Sequence, residues 1–181
     1  MVLAWYLNDS VVNPRLPNKT DPPVYVSVQS LREQSGMECL TFDAKTVDEN
    51  PEFAEMREER RFSYEDTVEL SRESLPDYDK MLAKFFTEHL HADDEVRMVL
   101  SGTGYFDVRD KNDKWIRVAA EKDDMVIVPA GLYHRFTLDQ KNYIKCKRLF
   151  AGSPVWTAYN RPEADSHPAR KQYLDQMMHS S

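Results

Sequence analysis

The chain has 181 residues, with 24 Lys+Arg against 31 Asp+Glu, a formal net charge of -7 and 2 cysteines. This length fits one domain that buries roughly 70% of its extended-chain surface, so a core forms without disulfide or zinc staples and Cys39 and Cys146 read as inert buried thiols. A pI of about 5.3 has the wrong sign for a partner that is nucleic acid, no window approaches the ~18 apolar residues of a transmembrane segment, and 11% aromatics argue against disorder despite a mean hydropathy of -0.67.

The start, Met1 to Tyr6, lacks the basic region and long apolar run of a signal peptide, which points to a reducing, intracellular compartment. Val2 to Leu7 predicts a short strand, and Pro14, Pro17, Pro22 and Pro23 predict an irregular surface segment after it. Ser27, Leu31 and Gly36 predict a capped short helix, followed by a strand over residues 38–42. Residues 50–88 turn helical: Asn50-Pro51 reads as cap and first position, Ser63 with Asp66 fits a capping box, and Pro76 opens a third helix through Met81, Leu82, Phe85 and Phe86. The charge run Glu55 to Arg61 reads as a solvated helix face. After residue 88 the period switches to two, with runs at 95–100, 104–109, 115–119, 125–128, 132–138 and 143–150. Turn signals such as Ser101-Gly102-Thr103-Gly104 and Lys122-Asp123-Asp124 separate them. Six short strands joined by tight turns predict an antiparallel sandwich or barrel. The tail from Pro162 is weakly helical, with Tyr173 and Met177, and is expected to pack outside it.

Of 5 histidines, His89 and His91 sit two apart, Glu95 follows four later, and His134 comes after Pro129-Ala130-Gly131. Spacing by two puts both imidazoles on one strand face, and Glu95, Arg97 and Val99 share a face in the same way. Burying three imidazoles and a carboxylate in a small barrel costs several kcal/mol unless something satisfies them, and a divalent ion would. Mixed imidazole and carboxylate ligands suit iron, nickel, manganese or zinc.

The stretch His89-x-His91-x3-Glu95-x6-Gly102, with Pro129-x-Gly131-x2-His134, resembles the two motifs of the cupin superfamily. More narrowly, the chain resembles the acireductone dioxygenases. This match rests on residues 86–91, 93–97, 104–110, 129–136 and 156–162, with the start at 1–6 and residues 50–64, and so spans nearly the whole chain. Two positions depart from the cupin pattern: Ala83 and Asp123 stand where it has glycine, which bears on local turns and not on the ligands.

The resemblance implies a mostly β fold with appended helices, the cupin double-stranded β-helix or jelly-roll barrel of antiparallel strands. It implies one domain over 1–181: an N-terminal strand, Pro-rich segment and helices over 1–84, the barrel with its site over about 85–160, and a helical tail over 161–181. It further implies that His89, His91, Glu95 and His134 bind one Fe(II) or Ni(II) and leave two cis positions for a chelating enediol. Arg97 would stabilise the substrate dianion, and Phe86, Phe106 and Phe136 are candidates for the apolar wall around the methylthio end. The implied partners are acireductone, 1,2-dihydroxy-5-(methylthio)pent-1-en-3-one, and O2, in methionine salvage. The products would be formate and 4-methylthio-2-oxobutanoate with Fe(II), or formate, carbon monoxide and 3-methylthiopropionate with Ni(II). A monomer in the cytoplasm, with the nucleus and regulatory protein partners left open, completes the expectation. A cupin isomerase or dioxygenase acting on another substrate, and a non-catalytic cupin binding module, are the alternatives; the latter often lose a ligand, and all four are present here. Tyr105 and Trp156 are expected to be structural, and His167 and His179 carry no assignment.

Overall fold

The computed structural model describes residues 1–10 and 12–180. Its first strand, β1 (Leu3–Tyr6), pairs antiparallel with β2 (Tyr25–Val26). The Pro-rich stretch between them is irregular, as its missing N–H donors require, and is tied down by Arg117, whose guanidinium donates to the carbonyls of Pro14 (2.7 Å) and Leu16 (2.6 Å). Helix α1 (Val28–Ser35) starts where the Ser27 side chain accepts from the Ser30 N–H and stops at Gly36, whose φ of +80° lets its N–H close on the Arg32 carbonyl. Strand β3 (Glu38–Thr41) follows, and α2 (Pro51–Glu59) begins with Asn50 accepting from two N–H groups ahead of Pro51. Charge along α2 is solvated or paired at its edges, Arg60 with Glu38 and Arg57 with Glu65.

The helix expected from Ser63 is instead a strand, β4 (Tyr64–Leu70). Tyr64, Asp66, Val68 and Leu70 are half-buried and alternate with exposed Glu65, Thr67 and Glu69, a period of two that outweighs the capping pattern. Asp66 caps nothing there; its carboxylate accepts from Arg148 and from the Tyr64 hydroxyl. Helix α3 (Tyr78–Phe85) begins after Pro76 at Asp77 and buries Tyr78 and Leu82.

The remaining strands are β5 (His89–Leu90), β6 (Glu95–Arg109), β7 (Trp115–Glu121), β8 (Asp124–Val128), β9 (His134–Leu138), β10 (Ile144–Phe150) and β11 (Tyr159–Asn160), before the last helix, α4 (Pro168–His179). The expected turn at Ser101–Gly104 is absent: the two predicted runs are one strand of 15 residues. Its first half pairs with β8 and β10, its second with β7 and β9, so β6 belongs to two sheets. One sheet runs β11-β5-β9-β6-β7-β1-β2 and the other β4-β10-β6-β8-β3. The corner lies where the β10 register shifts opposite residues 99–101 and Gly102 takes a φ of +80°; a Cβ there would stand 2.3 Å from the Tyr143 carbonyl oxygen.

Alternation along the first half of β6 divides the interior. Glu95, Arg97 and Val99 face between the sheets, while Val96 and Met98 pack outward with Phe42, Phe53, Phe62 and Leu149 beneath α2. Each such buried apolar side chain contributes roughly 1.5–3 kcal/mol, so both strand faces are held. Of the two departures from the cupin pattern, Asp123 adopts a φ of +79° and its carboxylate accepts from the Ala44 N–H, offsetting the strain that glycine would avoid, whereas Ala83 lies inside α3. The tail lies on the outside of the barrel, with most of α4 exposed and one side chain anchoring it. Tyr173 of α4 is buried in the main core, its hydroxyl donating to the Ser35 carbonyl at 2.7 Å.

Candidate active site

A cavity of about 430 Å³ opens between the two sheets. His89 enters it from β5 and His134 from the first position of β9, where the two residues pair across the strands; His91 follows just after β5, so the two-apart spacing converges although β5 itself is only two residues long. Glu95 and Arg97 enter from the other sheet along β6. One ring nitrogen from each of His89, His91 and His134 lies within 4.8 Å of the others. The Glu95 carboxylate stands 3.1 Å from His91 Nε2 and 3.5 Å from His134 Nε2.

The Nδ1 atoms explain why the Nε2 atoms converge. His89 Nδ1 lies 2.6 Å from the Thr87 carbonyl, His91 Nδ1 2.7 Å from that of Thr157, and His134 Nδ1 2.9 Å from that of Leu132. A carbonyl only accepts, so each Nδ1 carries the proton and each Nε2 presents its lone pair inward. Among the described residues His134 Nε2 is buried with no hydrogen-bond partner. A native core rarely leaves such an atom orphaned, and a divalent ion among three imidazoles and a carboxylate would satisfy it. The donor set therefore fits a transition metal.

Charge inside the site is arranged accordingly. Burial, with the neighbouring His134, pushes the His89 imidazole down to about 4, leaving it neutral at physiological pH. Burial would also lower His91, but the adjacent Glu95 carboxylate outweighs it and moves that pKa up. Burial alone would raise Glu95; Arg97 first, then the two imidazoles, hold it well below the usual carboxylate range. Arg97 lines the cavity with its guanidinium 3.8 Å from the Glu95 carboxylate and 5.6 Å from the Trp156 ring.

Of the three predicted wall residues, Phe106 and Phe136 line the cavity and Phe86 does not; its ring lies under the Arg135 guanidinium at 4.0 Å. Phe85 takes the inner position instead, its ring 6.4 Å from that of Phe136, because α3 turns the Tyr78, Leu82, Phe85 stripe inward. Val68, Leu70, Leu75, Met81, Ile144 and Cys146 also belong to the apolar wall. Cys146 is inert, as expected: burial pushes its thiol up to about 12, and neither cysteine is in a disulfide. Trp156, expected to be structural, borders the cavity, whereas Tyr105 packs against Trp5 and Arg117 outside it. His167 caps α4.

Residues 3–158 match the family model described as the ARD/ARD' family. The chain is 51% identical to the acireductone dioxygenase of Gallus gallus over 174 residues, covering 96% of each protein. The identity is 49% over 178 residues with that of Ixodes scapularis, covering 98% of this chain and 97% of the relative. It belongs to the acireductone dioxygenase family. The human acireductone dioxygenase is 50% identical over 174 residues, covering 96% of each. A solved structure described as an acireductone dioxygenase from Bacillus anthracis with cadmium ion in the active center superposes with a TM-score of 0.67 at 24% identity, over 86% of this chain and 96% of that one. That likeness bears on the fold, which is the expected cupin barrel of antiparallel strands. As a member of the acireductone dioxygenase family the chain is a metal-binding oxidoreductase of methionine salvage. Among the described residues no helix is long and apolar enough to cross a membrane.

Proposed function

We propose that His89, His91, Glu95 and His134 hold one Fe(II) or Ni(II) ion and that the chain, acting as a single cupin domain over 1–181, cleaves 1,2-dihydroxy-5-(methylthio)pent-1-en-3-one with O2. The observation that carries this reading is the set of three imidazoles whose Nδ1 atoms are all engaged by backbone carbonyls while Nε2 of His134 is left buried without a partner. Bound there, the ion supplies a template and Lewis acid for a chelating enediol. Arg97 supplies a permanent positive charge to the substrate dianion in a cavity of low dielectric, where a fixed charge is worth more than in water. Phe106 and Phe136, joined by Phe85 in place of Phe86, form the wall that takes the methylthio end and excludes water.

The resident metal decides the products in this reading: formate and 4-methylthio-2-oxobutanoate with Fe(II), and formate, carbon monoxide and 3-methylthiopropionate with Ni(II). Imidazole and carboxylate ligands do not select strongly between the two ions, and raw affinity rises from iron to nickel, so availability sets occupancy. The protein works as a cytoplasmic monomer. To test the reading, one preparation is stripped of metal, halves are reloaded with Fe(II) or Ni(II), and carbon monoxide is measured after turnover of the same acireductone. Carbon monoxide from the nickel half alone supports it; equal yields from both halves overturn metal control, and no turnover in either overturns the substrate assignment.

A further inference from the structure

The backbone acceptors that orient His89 and His134 occupy the same position relative to their histidines: Thr87 and Leu132 each lie two residues before the ring they hold. One residue therefore stands between acceptor and histidine in each case, Glu88 and Tyr133. We infer that Arg161, which grips both, is a positioning residue for the metal site; the inference rests on the proposed ligand set.

Arg161 follows β11, which pairs with β5 through Asn160 and His89. Its N–H donates to the Glu88 carbonyl at 3.2 Å, and its guanidinium donates to the Glu88 carboxylate at 2.9 Å and to both oxygens of Asp113 at 2.7 and 3.1 Å. Arg109 closes the circuit from the end of β6, donating twice to Glu88 at 2.8 and 3.0 Å and lying 3.6 Å from the Asp113 carboxylate. The Arg161 guanidinium also lies 4.7 Å from the centre of the fully buried Tyr133 ring, where Arg170 lies at 4.6 Å, while the Tyr133 hydroxyl donates to Asp165 at 2.6 Å. The same stretch of chain orients the third histidine, since the Thr157 carbonyl accepts from His91. Arg161 thus fixes the spacing of two segments that do not adjoin in sequence and whose carbonyls set the imidazole planes. A planar fork with several donors and a stacking face can bridge Glu88, Asp113 and Tyr133 together; an ammonium on a flexible stem reaches one of them at a time.

The test uses the full chain, stripped and titrated with Co(II) against a competing chelator, with the visible absorption of the Co(II) form and the thermal midpoint of the metal-free form recorded alongside. Arg161→Met is expected to weaken Co(II) binding by about 10-fold or more and to alter the Co(II) bands, and Arg161→Lys to recover only part of either. Arg60→Met, which removes a two-bond ion pair with Glu38 in the other sheet, is the control and should leave affinity and spectrum as in the parent. If Arg161→Met proves insoluble, Asp113→Asn, at an exposed anchor of the same guanidinium, carries the test with an expected several-fold loss of affinity. Parental affinity and an unchanged spectrum in a variant whose metal-free midpoint has fallen would reduce Arg161 to a structural role. Failure of the parent itself to take up one Co(II) would overturn the ligand set and the inference together, whereas uptake by the parent with unchanged variants overturns the inference alone.

Discussion

Two clusters of charged and polar side chains are held by opposite halves of β6, one around Glu95 and one around Asp107, and they are satisfied in opposite ways. Around Asp107 every charged group is partnered: Arg117 donates to both carboxylate oxygens at 2.7 and 2.9 Å, Arg135 adds a third bond at 2.9 Å, and Nη1 of Arg117 donates to two backbone carbonyls. Around Glu95 this is not so. His134 Nε2 has no hydrogen-bond partner, and the Glu95 carboxylate faces the Nε2 atoms of His91 and His134 at 3.1 and 3.5 Å. Burying polar groups is costly at both places and is offset by protein partners only at the first, so the first cluster is built for the fold and the second for something brought to it.

Exchanging the roles of the two clusters tests this difference. His134→Ala should abolish turnover, a loss of at least ~1000-fold or about 4 kcal/mol, with loss of tight metal binding and of the rise in thermal midpoint that metal gives the parent. Its metal-free form should unfold near the parental midpoint, and near-stoichiometric metal in this variant would exclude His134 as a ligand. Asp107→Ala should behave in reverse: stranding Arg117, which has 0% exposure, should cost about 3–5 kcal/mol in urea denaturation before any metal is added. Arg97→Ala should keep the metal and lose about 100-fold in kcat/KM, roughly 2.7 kcal/mol, with Arg97→Lys intermediate; metal loss with unchanged turnover per bound ion would make Arg97 structural. The smallest effect belongs to the surface. The Arg60 hydrogen bonds hold the Glu38 carboxyl below its ordinary value, so the pair stabilises the fold above the unfolded carboxylate range and that contribution disappears as pH falls through the folded value. Glu38→Gln should therefore cost less than about 1 kcal/mol at pH 7, and the difference should vanish once acid has protonated Glu38 in the folded protein as well.

The contrast also marks what sequence could tell. The histidines, Glu95 and Arg97 stand out because such residues at such spacings have few inert explanations, and the caps at Ser27 and Asn50 are local chemistry that the fold leaves intact. β4 was hidden because Ser63 and Asp66 mimic a helix start, while the alternating Tyr64, Asp66, Val68 and Leu70 that mark a strand include a charged residue whose partner, Arg148, is far away in the chain. Phe85 and Phe86 are neighbours, and only the phase of α3, set by Tyr78 and Leu82, decides which one faces the cavity. Cys146, Leu75 and Val68 become neighbours through tertiary closure alone, and no local pattern announces that.

The passage of β6 through both sheets has a consequence for how the molecule opens. Residues 96–98 of β6 pair with β8 on one edge and β10 on the other, and residues 104–108 pair in the same way with β7 and β9. Neither sheet can fray inward without tearing this shared strand, so the amides of these two stretches should exchange with solvent only when the whole barrel unfolds, while the short edge strands β2 and β11 exchange through local fluctuations. Completing the second sheet joins Tyr64 to Phe150 across all the strands from β5 to β9, which puts long loop closure ahead of many stabilising contacts and predicts slow, all-or-none folding.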